Sequence, residues 1–327
     1  MSAGFTLGAV AGAITAPLGW LYGAAMALRN VAYDRHSAAR LGVPVVSVGN
    51  LAAGGTGKTP LVVSLLERAY AAGRRPGVLA RGYGRAAGAE LNDEGMLLAG
   101  RFPGLLQVQD PDRVRGGRQL VARGADWVVL DDGFQHRRLH RDVDLVCLDA
   151  MHPFDRVLPA GLQREFASGL RRASAVVLTR ADALDARARA DLVRAVERRA
   201  RRPLPVFASA HAPLDLVEQP EGSTVPLARL RGRRVVLLSA IARPQRFAAT
   251  VATLGAEVIE HVVRRDHSTV AAGELETLAQ RAAARDACLL VTEKDAVKMV
   301  GLPTPRLVLR IALRFEEPLP DELLLLR

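Results

Sequence analysis

From residue 43 onward, the chain alternates short, continuously apolar segments with longer helical patterns. Helical patterns are predicted at 59–72, 112–123 and 182–200. Continuous apolar strands that alternate with helices are typical of a mainly parallel sheet covered by helices on both faces. The sequence therefore predicts an α/β fold with strands at 43–48, 76–80, 126–130, 143–148, 175–179 and 205–208.

The length of the chain leaves room for a second domain. Its 327 residues, 49% of them hydrophobic, are enough to fill two ordinary cores. The segment 211–232 is rich in Pro, Gly and mixed charge, which is typical of a connection. We therefore expect an N-terminal helix region over 1–40, a main α/β domain over 41–210, the connection at 211–232 and a smaller C-terminal α/β domain over 233–327.

The first 28 residues contain no Asp, Glu, Lys, Arg or His, and a basic cluster starts at Arg29. About 20 apolar residues suffice to cross a bilayer, but Pro17 and many Ala and Gly residues weaken a spanning helix. The segment could equally lie in the membrane interface, with Trp20 and Tyr22 at head-group depth. A helix packed on the main domain is the third possibility. We expect an apolar N-terminal helix that holds the chain at a membrane, with the basic cluster on the cytoplasmic side.

The charge balance points to anionic partners. The 45 Lys and Arg residues exceed the 34 Asp and Glu residues, which gives a formal net charge of +11. Such a surplus favours nucleic acid, anionic lipid or phosphorylated metabolites. Aromatic residues make up only 4% of the chain, too few for a surface that stacks single-stranded bases. We therefore expect no nucleic acid partner.

A glycine-rich segment follows the first predicted strand and precedes a helix. In such a loop, backbone N–H groups and the positive end of the helix point at phosphate oxygens. Lys58 can reach the β- and γ-phosphates, and the Thr59 hydroxyl can bind Mg²⁺. The strict pattern has glycine where this chain has Ala52. The segment predicts a P-loop nucleotide-binding domain over 41–210, with ATP held by Ala52, Ala53, Gly54, Gly55, Thr56, Gly57, Lys58 and Thr59.

Two adjacent carboxylates, Asp131 and Asp132, directly follow the apolar segment 126–130. Ligands of parallel sheets bind at the carboxyl ends of the strands, and paired carboxylates there suit Mg²⁺. A turn-capping role explains one carboxylate but not two. We predict a metal site formed by Thr59, Asp131 and Asp132.

Two other classes of function remain alternatives. The tetrapeptide TRAD at 179–182 faintly resembles the guanine-reading loop of GTPases, which leaves a P-loop GTPase or metallochaperone-like switch protein at the membrane as the alternative. A scaffold that only binds ATP at a membrane is a third class.

Further motifs occur in a fixed order along nearly the whole chain. GGTGKTP, DDGFQH and TEKDAVK resemble the tetraacyldisaccharide 4'-kinase (lipid A 4'-kinase) family, as do ARGYGR, NDE, DPDR, LPAG-x-x-RE, IARPQRF and RDH. The resemblance implies an enzyme that uses ATP and Mg²⁺ to phosphorylate the 4'-hydroxyl of a tetraacylated glucosamine disaccharide 1-phosphate, giving lipid IVA. It also implies work at the cytoplasmic face of the bacterial inner membrane. The implied partners are this glycolipid and an anionic membrane surface, with no obligate protein partner.

The resemblance assigns the activation of the acceptor hydroxyl to Asp93 and His267. The triplet that contains Asp93 begins with Asn92 where the family has Gly, and Ser268 stands where many relatives have a second His. A carboxylate beside an imidazole is a suitable proton acceptor for a sugar hydroxyl. Because the two residues fall in different predicted domains, we expect these domains to close during catalysis.

Two arginines complete the predicted catalytic set. The resemblance brings Arg113 near the reacting phosphates, where a cation would neutralise transition-state charge, and Arg164 is a comparable candidate. From the residues alone, Asp110 and Pro111 predict a helix start with Asp110 as the N-cap. The predicted catalytic residues are thus Asp93, His267, Lys58, Arg113 and Arg164.

Overall fold

The computed structural model describes residues 3–35, 37–85, 88–265 and 268–326. It divides the chain into two compact units. Unit 1 comprises 1–82, 105–210 and 313–327, and unit 2 comprises 83–104 and 211–312. One division between the units thus falls after residue 210. The segment 83–104 belongs to unit 2 and the C-terminal segment to unit 1, which local sequence patterns do not reveal.

The strands and helices are numbered in chain order. The strands are β1 Val45–Asn50, β2 Pro76–Ala80, β3 Leu106–Gln109, β4 Trp127–Asp131, β5 Val143–Asp149, β6 Ala175–Thr179, β7 Val206–Gln219, β8 Ser223–Val225, β9 Arg234–Ser239, β10 Glu257–Val263, β11 Ala287–Thr292 and β12 Arg306–Phe315. The helices are α1 Ala3–Asp34, α2 Lys58–Ala71, α3 Asp93–Arg101, α4 Arg113–Ala122, α5 Ala186–Ala200, α6 Pro244–Thr253, α7 Ala272–Ala283 and the short α8 Glu293–Ala296.

The sheet of unit 1 is parallel and runs in the order β7, β6, β5, β1, β4, β2, β3. Its central strands are buried along their whole length, as expected for strands covered by helices on both faces. The predicted α/β class and mainly parallel sheet are confirmed. β1 lies at the centre, so the loop that follows it emerges at the carboxyl edge of the sheet, where ligands of such folds bind.

Unit 2 has its own parallel pairings, in the order β10, β9, β11, β12. Its core includes Val236 and Leu238 of β9 and Leu275 and Leu278 of α7. The segment 211–232, expected to be a connection, instead contains the second part of β7, the antiparallel strand β8 and a short 3₁₀ turn. Pro213 lies within β7. This proline and the mixed charges are the features from which the sequence predicts a connection here.

Helix α1 belongs to unit 1 and packs closely at two glycines one helical turn apart. A Cβ atom at Gly23 would lie 2.3 Å from the Phe166 ring, and one at Gly19 would lie 3.0 Å from the Val157 carbonyl oxygen. Trp20, Leu21 and Leu28 are largely exposed, so α1 is not a helix buried on all sides. None of the helices in the described ranges is both long and apolar enough to cross a membrane.

Candidate active site

The loop between β1 and α2 has a backbone that requires glycine at two positions. Gly54 has a φ of +110° and Gly57 a φ of +88°, in the left-handed region that residues with a Cβ rarely adopt. Ala52 instead forms an extended bridge with Gln163, which explains why alanine is accepted there. The first turn of α2 follows at once, and the first backbone N–H groups of any helix have no carbonyl partner within it. This end of α2 can therefore hold an anion.

Neighbouring strands support the loop through side-chain hydrogen bonds. Asn50 Nδ2 donates to Thr56 Oγ1 at 2.9 Å, and Thr179 Oγ1 donates to the Thr56 carbonyl oxygen at 3.0 Å. Gln135 Nε2 donates to the Asn50 carbonyl oxygen at 2.8 Å. These bonds fix Thr56 between β1 and β6, so the protein's own contacts hold the shape of the loop.

The LPAG-x-x-RE segment lies against the other side of the same loop. The Ala53 N–H donates to the Leu162 carbonyl oxygen at 2.7 Å, and the Arg164 N–H donates to the Leu51 carbonyl oxygen at 2.8 Å. The backbone of Arg164 is therefore tied to the residue that opens the phosphate loop.

Asp132 joins the two candidate cations of this site. Its Oδ1 lies 3.4 Å from Lys58 Nζ, and its Oδ2 accepts a hydrogen bond from Arg164 Nη1 at 2.7 Å. Burial by itself would raise the pKa of the Asp132 carboxyl, but the charges of Lys58 and Arg164 and their hydrogen bonds outweigh it and hold the pKa below its ordinary value. The group is therefore an anion between two cations, all three at the mouth of the phosphate loop.

Asp131 and Thr59 offer further oxygen atoms near this group. Asp131 is the buried last residue of β4, and Thr59 is the second residue of α2. Within the described ranges, no cluster of three or more His, Cys, Asp or Glu side chains could bind a metal ion. Mg²⁺ prefers oxygen ligands and is commonly held by one or two carboxylates together with water and phosphate oxygens. The donor set fits such a site and does not fit an all-protein metal cage.

Arg113 is a buried cation that interacts electrostatically with Asp131 and Asp132. It is only 4% exposed, and its Nη1 donates to the carbonyl oxygens of Asp110 and Pro111, each at 3.3 Å. Burial lowers the pKa of its guanidinium, Arg81 lowers it further, and Asp132 and Asp131 oppose this effect. Arginine stays protonated despite such a shift, so the charge is kept and its hydration is lost.

The start of α4 differs from the prediction. Asp112, not Asp110, is the N-cap, and its side chain accepts hydrogen bonds from the N–H groups of Val114 and Arg115. Asp110 instead accepts from the Asp112 N–H and forms a two-point ion pair with Arg115 at 2.7 and 2.9 Å. The Asp110 carboxylate is held by Arg115, so Asp112 caps the helix and Arg113 becomes its first residue.

Asp93 is the first residue of α3 in unit 2. The preceding Asn92 is the N-cap, since its Oδ1 accepts from the Gly95 N–H at 3.0 Å while its Nδ2 donates to the Tyr83 carbonyl oxygen at 3.0 Å. The Asn that replaces the family's Gly therefore starts the helix. It also fastens the ARGYGR segment to that start.

The TEKDAVK motif contacts Asp93 directly. Lys298 Nζ lies 3.2 Å from Asp93 Oδ2 and donates to the Ser268 carbonyl oxygen at 3.3 Å, and its side chain is 5% exposed. His267 itself lies outside the described residues. Asp93 and Ser268 belong to the same unit, which differs from the expectation that Asp93 and His267 fall in separate domains.

The same motif also holds the other end of α3. Arg101 forms a two-point ion pair with Glu293 at 2.6 and 2.7 Å and donates to the Ile311 carbonyl oxygen at 2.7 Å. Both ends of the helix that carries Asp93 are thus fixed by residues of TEKDAVK, Lys298 at one end and Glu293 at the other.

The TRAD segment does not offer a base-reading loop. Arg180 is buried, has a φ of +61° and forms an ion pair with Asp149. Thr179 is engaged with the phosphate loop, and α5 is capped by Asp185 rather than by a residue of this segment. These side chains are committed to internal contacts.

Glu165 is a residue of this region that sequence patterns did not single out. It is 2% exposed and accepts hydrogen bonds from Asn30 of α1, from Gln135 and from Arg172, at 2.9 to 3.0 Å. A glutamate next to an arginine in a motif gave no signal of burial. Its pairing with Arg172, seven residues later, becomes visible only once the chain is folded.

Three comparisons with known proteins give a consistent picture. A family model described as tetraacyldisaccharide-1-P 4'-kinase matches residues 11–326. The chain is 45% identical over 314 residues to the tetraacyldisaccharide 4'-kinase of Anaeromyxobacter dehalogenans (strain 2CP-C), which covers 90% of this chain and 82% of the relative. It is 37% identical over 309 residues to that of Geobacter sulfurreducens, with coverages of 88% and 84%.

A solved structure is similar along the whole chain. It is the crystal structure of the "apo" form of LpxK from Aquifex aeolicus in complex with ATP, with a TM-score of 0.71 and 27% sequence identity. The alignment covers 95% of this chain and 96% of that one.

Proposed function

The chain belongs to the tetraacyldisaccharide-1-phosphate 4'-kinase family, and on this premise we propose that it transfers the γ-phosphate of ATP to the 4'-hydroxyl of tetraacyldisaccharide 1-phosphate, forming lipid IVA in lipid A biosynthesis. The observation that carries the proposal is the group of Lys58, Asp132 and Arg164 at the mouth of a glycine-rich loop. Two cations and a carboxylate at the start of a helix form a site for a phosphate chain.

The phosphate-binding half of the reaction is assigned to unit 1. The backbone of residues 52–59 surrounds the phosphates, and Lys58 approaches the β- and γ-phosphate oxygens. Arg164 and the poorly hydrated Arg113 neutralise the charge that develops as the γ-phosphoryl group moves. The relative from Aquifex aeolicus was crystallised with ATP, which supports ATP as the phosphate donor.

Magnesium belongs to the same proposal. Thr59, Asp131 and Asp132 are the residues that would hold Mg²⁺, because they supply hard oxygen donors beside the phosphate loop. When bound, the ion would neutralise the negative charge on the phosphate oxygens.

The acceptor half of the reaction is assigned to Asp93 and His267. The 4'-oxygen forms a bond to the γ-phosphorus while the bond from that phosphorus to the β–γ bridging oxygen breaks, and ADP leaves. The proton of the hydroxyl passes to the pair of Asp93 and His267. Lys298 holds the Asp93 carboxylate through its Oδ2 atom and so orients the group that takes up the proton.

The proposal includes a place at the cytoplasmic face of the bacterial inner membrane. The exposed apolar side chains of Trp20, Leu21 and Leu28 on α1 support an interfacial helix, because such groups bind at the boundary between head groups and acyl chains. The acceptor is itself a membrane lipid, so attachment brings enzyme and acceptor to the same surface.

The decisive experiment uses the full chain in detergent micelles with γ-labelled ATP, Mg²⁺ and tetraacyldisaccharide 1-phosphate. We expect label in the lipid fraction, and we expect Lys58→Met to lower its rate of appearance by about a thousandfold. Arg74→Met, at a partly exposed arginine beyond the other end of α2, is the matched control and should retain full activity.

Each result has a defined meaning. Label that is released only as inorganic phosphate would indicate an ATPase and would contradict the proposal. Release of labelled phosphate from GTP but not from ATP, with no label in the lipid, would favour the switch-protein alternative, which the contacts of Arg180 and Asp149 do not support.

A further inference from the structure

A large cavity of about 1270 Å³ lies in unit 1, on the outer side of α4. Its walls come from the C-terminal end of α1, from the exposed face of α4 and from the residues that follow the Asp131-Asp132 pair. We call it the basic pocket, after the side chains Arg29, Arg115, Arg118, Arg137 and Arg138 that line it. Among the described residues assigned above to ATP, Mg²⁺ or the acceptor, none lines it.

The positive charge of the basic pocket is only partly compensated within the protein. Arg115 pairs with Asp110, and Arg137 pairs with Asp34. Asp112 is the acidic side chain among the described lining residues, and it accepts the hydrogen bonds that cap α4.

Three cations of the basic pocket are left without a carboxylate partner among the described residues, although Arg29 also donates to the Gln135 carbonyl oxygen at 3.4 Å. In the described part of the chain, no carboxylate forms an ion pair with Arg29, Arg118 or Arg138. The pKa of Asp112 is lowered mainly by the hydrogen bond from the Arg115 N–H, and the charge of Arg138 adds to this effect. Like charges around one cavity repel each other, and a bound anion removes that cost. The planar guanidinium forks of arginine match the oxygens of a phosphate group better than a lysine ammonium would.

The surroundings of the basic pocket indicate what kind of anion it takes. Arg29 lies on α1 directly after Leu28, which is 72% exposed. Tyr33, on the same end of α1, lines the pocket and stacks under the Arg29 guanidinium at 5.3 Å. A ligand here meets phosphate-binding groups next to exposed apolar side chains, which is the combination that an amphiphile presents.

We propose that the basic pocket binds the phosphodiester head group of an anionic phospholipid and thereby fixes unit 1 on an anionic bilayer. Basic clusters beside a membrane-associated helix attract anionic lipids, and each Arg near the surface adds to that attraction. The inference rests on the proposed place at a membrane and names the site that binds the lipid, which is neither the phosphate donor nor the acceptor.

The test measures binding of the full chain to vesicles in the absence of ATP and acceptor. Co-sedimentation is compared for vesicles of phosphatidylcholine alone and for an equimolar mixture of phosphatidylcholine and phosphatidylglycerol. We expect Arg118→Gln/Arg138→Gln to weaken binding to the mixed vesicles by about thirtyfold, given the contribution of each arginine at an anionic surface. Binding to pure phosphatidylcholine should be unchanged.

The matched control is Arg187→Gln/Arg198→Gln. These two exposed arginines lie on α5 without a carboxylate partner in the described residues, so the change in net charge is the same. An equal loss of vesicle binding in the control would show that net charge alone accounts for the effect, and it would overturn the proposal. So would unchanged binding of Arg118→Gln/Arg138→Gln, whose fold is checked by the fluorescence of the buried Trp127.

A second readout separates the phospholipid from the acceptor. In detergent micelles without phospholipid, we expect the pocket variant to phosphorylate the glycolipid with an unchanged KM. A raised KM for the glycolipid would show that the pocket holds the phosphate of the acceptor and would overturn the proposal. Because vesicle binding needs no turnover, a failure of the proposed kinase activity would leave this test intact.

Discussion

Asp93 is the residue on which the acceptor half of the proposed reaction depends. We predict that Asp93→Asn lowers kcat by about a thousandfold and leaves ATP affinity unchanged, because a positioned general base contributes on this order and acts on the acceptor. Turnover of labelled ATP and calorimetric titration with ATP measure the two effects.

Glu90→Gln provides the comparison, because Glu90 is an exposed carboxylate shortly before α3. It should behave as the wild type. A loss of ATP affinity in Asp93→Asn would instead assign Asp93 to the nucleotide or the metal.

His136 gives a prediction about stability. Burial lowers the pKa of its imidazole from 6.5 to about 4, and the charges of Arg113, Arg141 and Arg138 add to this. The folded state therefore keeps His136 neutral where the unfolded chain takes up a proton. Stability is fully present above the unfolded pKa of 6.5 and is lost as the pH falls towards about 4.

We expect His136 to account for about 2 kcal/mol of this loss. Urea unfolding followed by Trp127 fluorescence between neutral pH and about pH 4 should show a flatter profile for His136→Gln than for wild type. The exposed His152 serves as the control, and His152→Gln should keep the wild-type slope. Parallel slopes for both variants would refute the assignment.

At the residue scale, the sequence reveals groups whose chemistry depends on local spacing. Lys58 and Thr59 are recognisable because a glycine-rich loop must be followed by a helix, and Asp131 and Asp132 because they end an apolar strand. The contact of Lys298 with Asp93 is invisible in the sequence, since it joins residues from distant segments. The role of Glu165 was missed for the same reason.

Helix α3 is the element whose placement matters most for the proposed acceptor site. We predict that Lys298→Met lowers kcat by about a hundredfold while the KM for ATP stays constant, because a small displacement of Asp93 is enough to misalign proton transfer. Steady-state kinetics with each substrate varied in turn measure this split.

Lys298→Arg separates positioning from fold. It keeps the positive charge, so it should recover a substantial part of kcat that Lys298→Met loses. If both variants lose unit 2 structure in a thermal melt, or if both leave kcat intact, the ion pair does not position Asp93.

The strands that sequence patterns missed have recognisable physical causes. The missing strand β3 has the sequence LQVQ at the edge of the sheet, so only half of its residues are apolar and no continuous run marks it. In β7, Pro213 and the charged residues suggested a loop, whereas pairing with β8 retains the strand. In contrast, β2 and β6 match their predicted bounds, because both are short, buried and continuously apolar.

For the whole molecule, the structure shows where part of the net charge of +11 lies. Many arginines are paired with carboxylates inside one unit, as in the pairs of Arg141 with Asp144 and Arg310 with Asp215. The surplus is therefore best judged by the cations without such partners. Those of the basic pocket lie beside α1, which suits a protein held against an anionic surface.

The attachment of the whole molecule to membranes gives a further prediction. We expect Trp20→Ser/Leu28→Ser to weaken binding to mixed vesicles by at least tenfold, because it removes large apolar groups from the proposed interface. Turnover in detergent micelles should remain near the wild-type value. Co-sedimentation and micelle assays test the two statements.

A control pair comes from unit 2. Leu214 and Val263 are also partly exposed, at 44% and 46%, and Leu214→Ser/Val263→Ser should leave vesicle binding unchanged. If the two double variants lose binding equally, exposed apolar area in general, and not α1, accounts for attachment.

The segment 157–166 contacts α1 on one side and the phosphate loop on the other. Phe166 fills the space over Gly23 and Glu165 accepts a hydrogen bond from Asn30, while the Arg164 N–H donates to the Leu51 carbonyl oxygen. A displacement of α1 would therefore shift Arg164 through this one short segment. We expect mixed vesicles to change the affinity for ATP in the wild type and not in Gly23→Val. Binding of the enzyme to lipid would then alter its own nucleotide site.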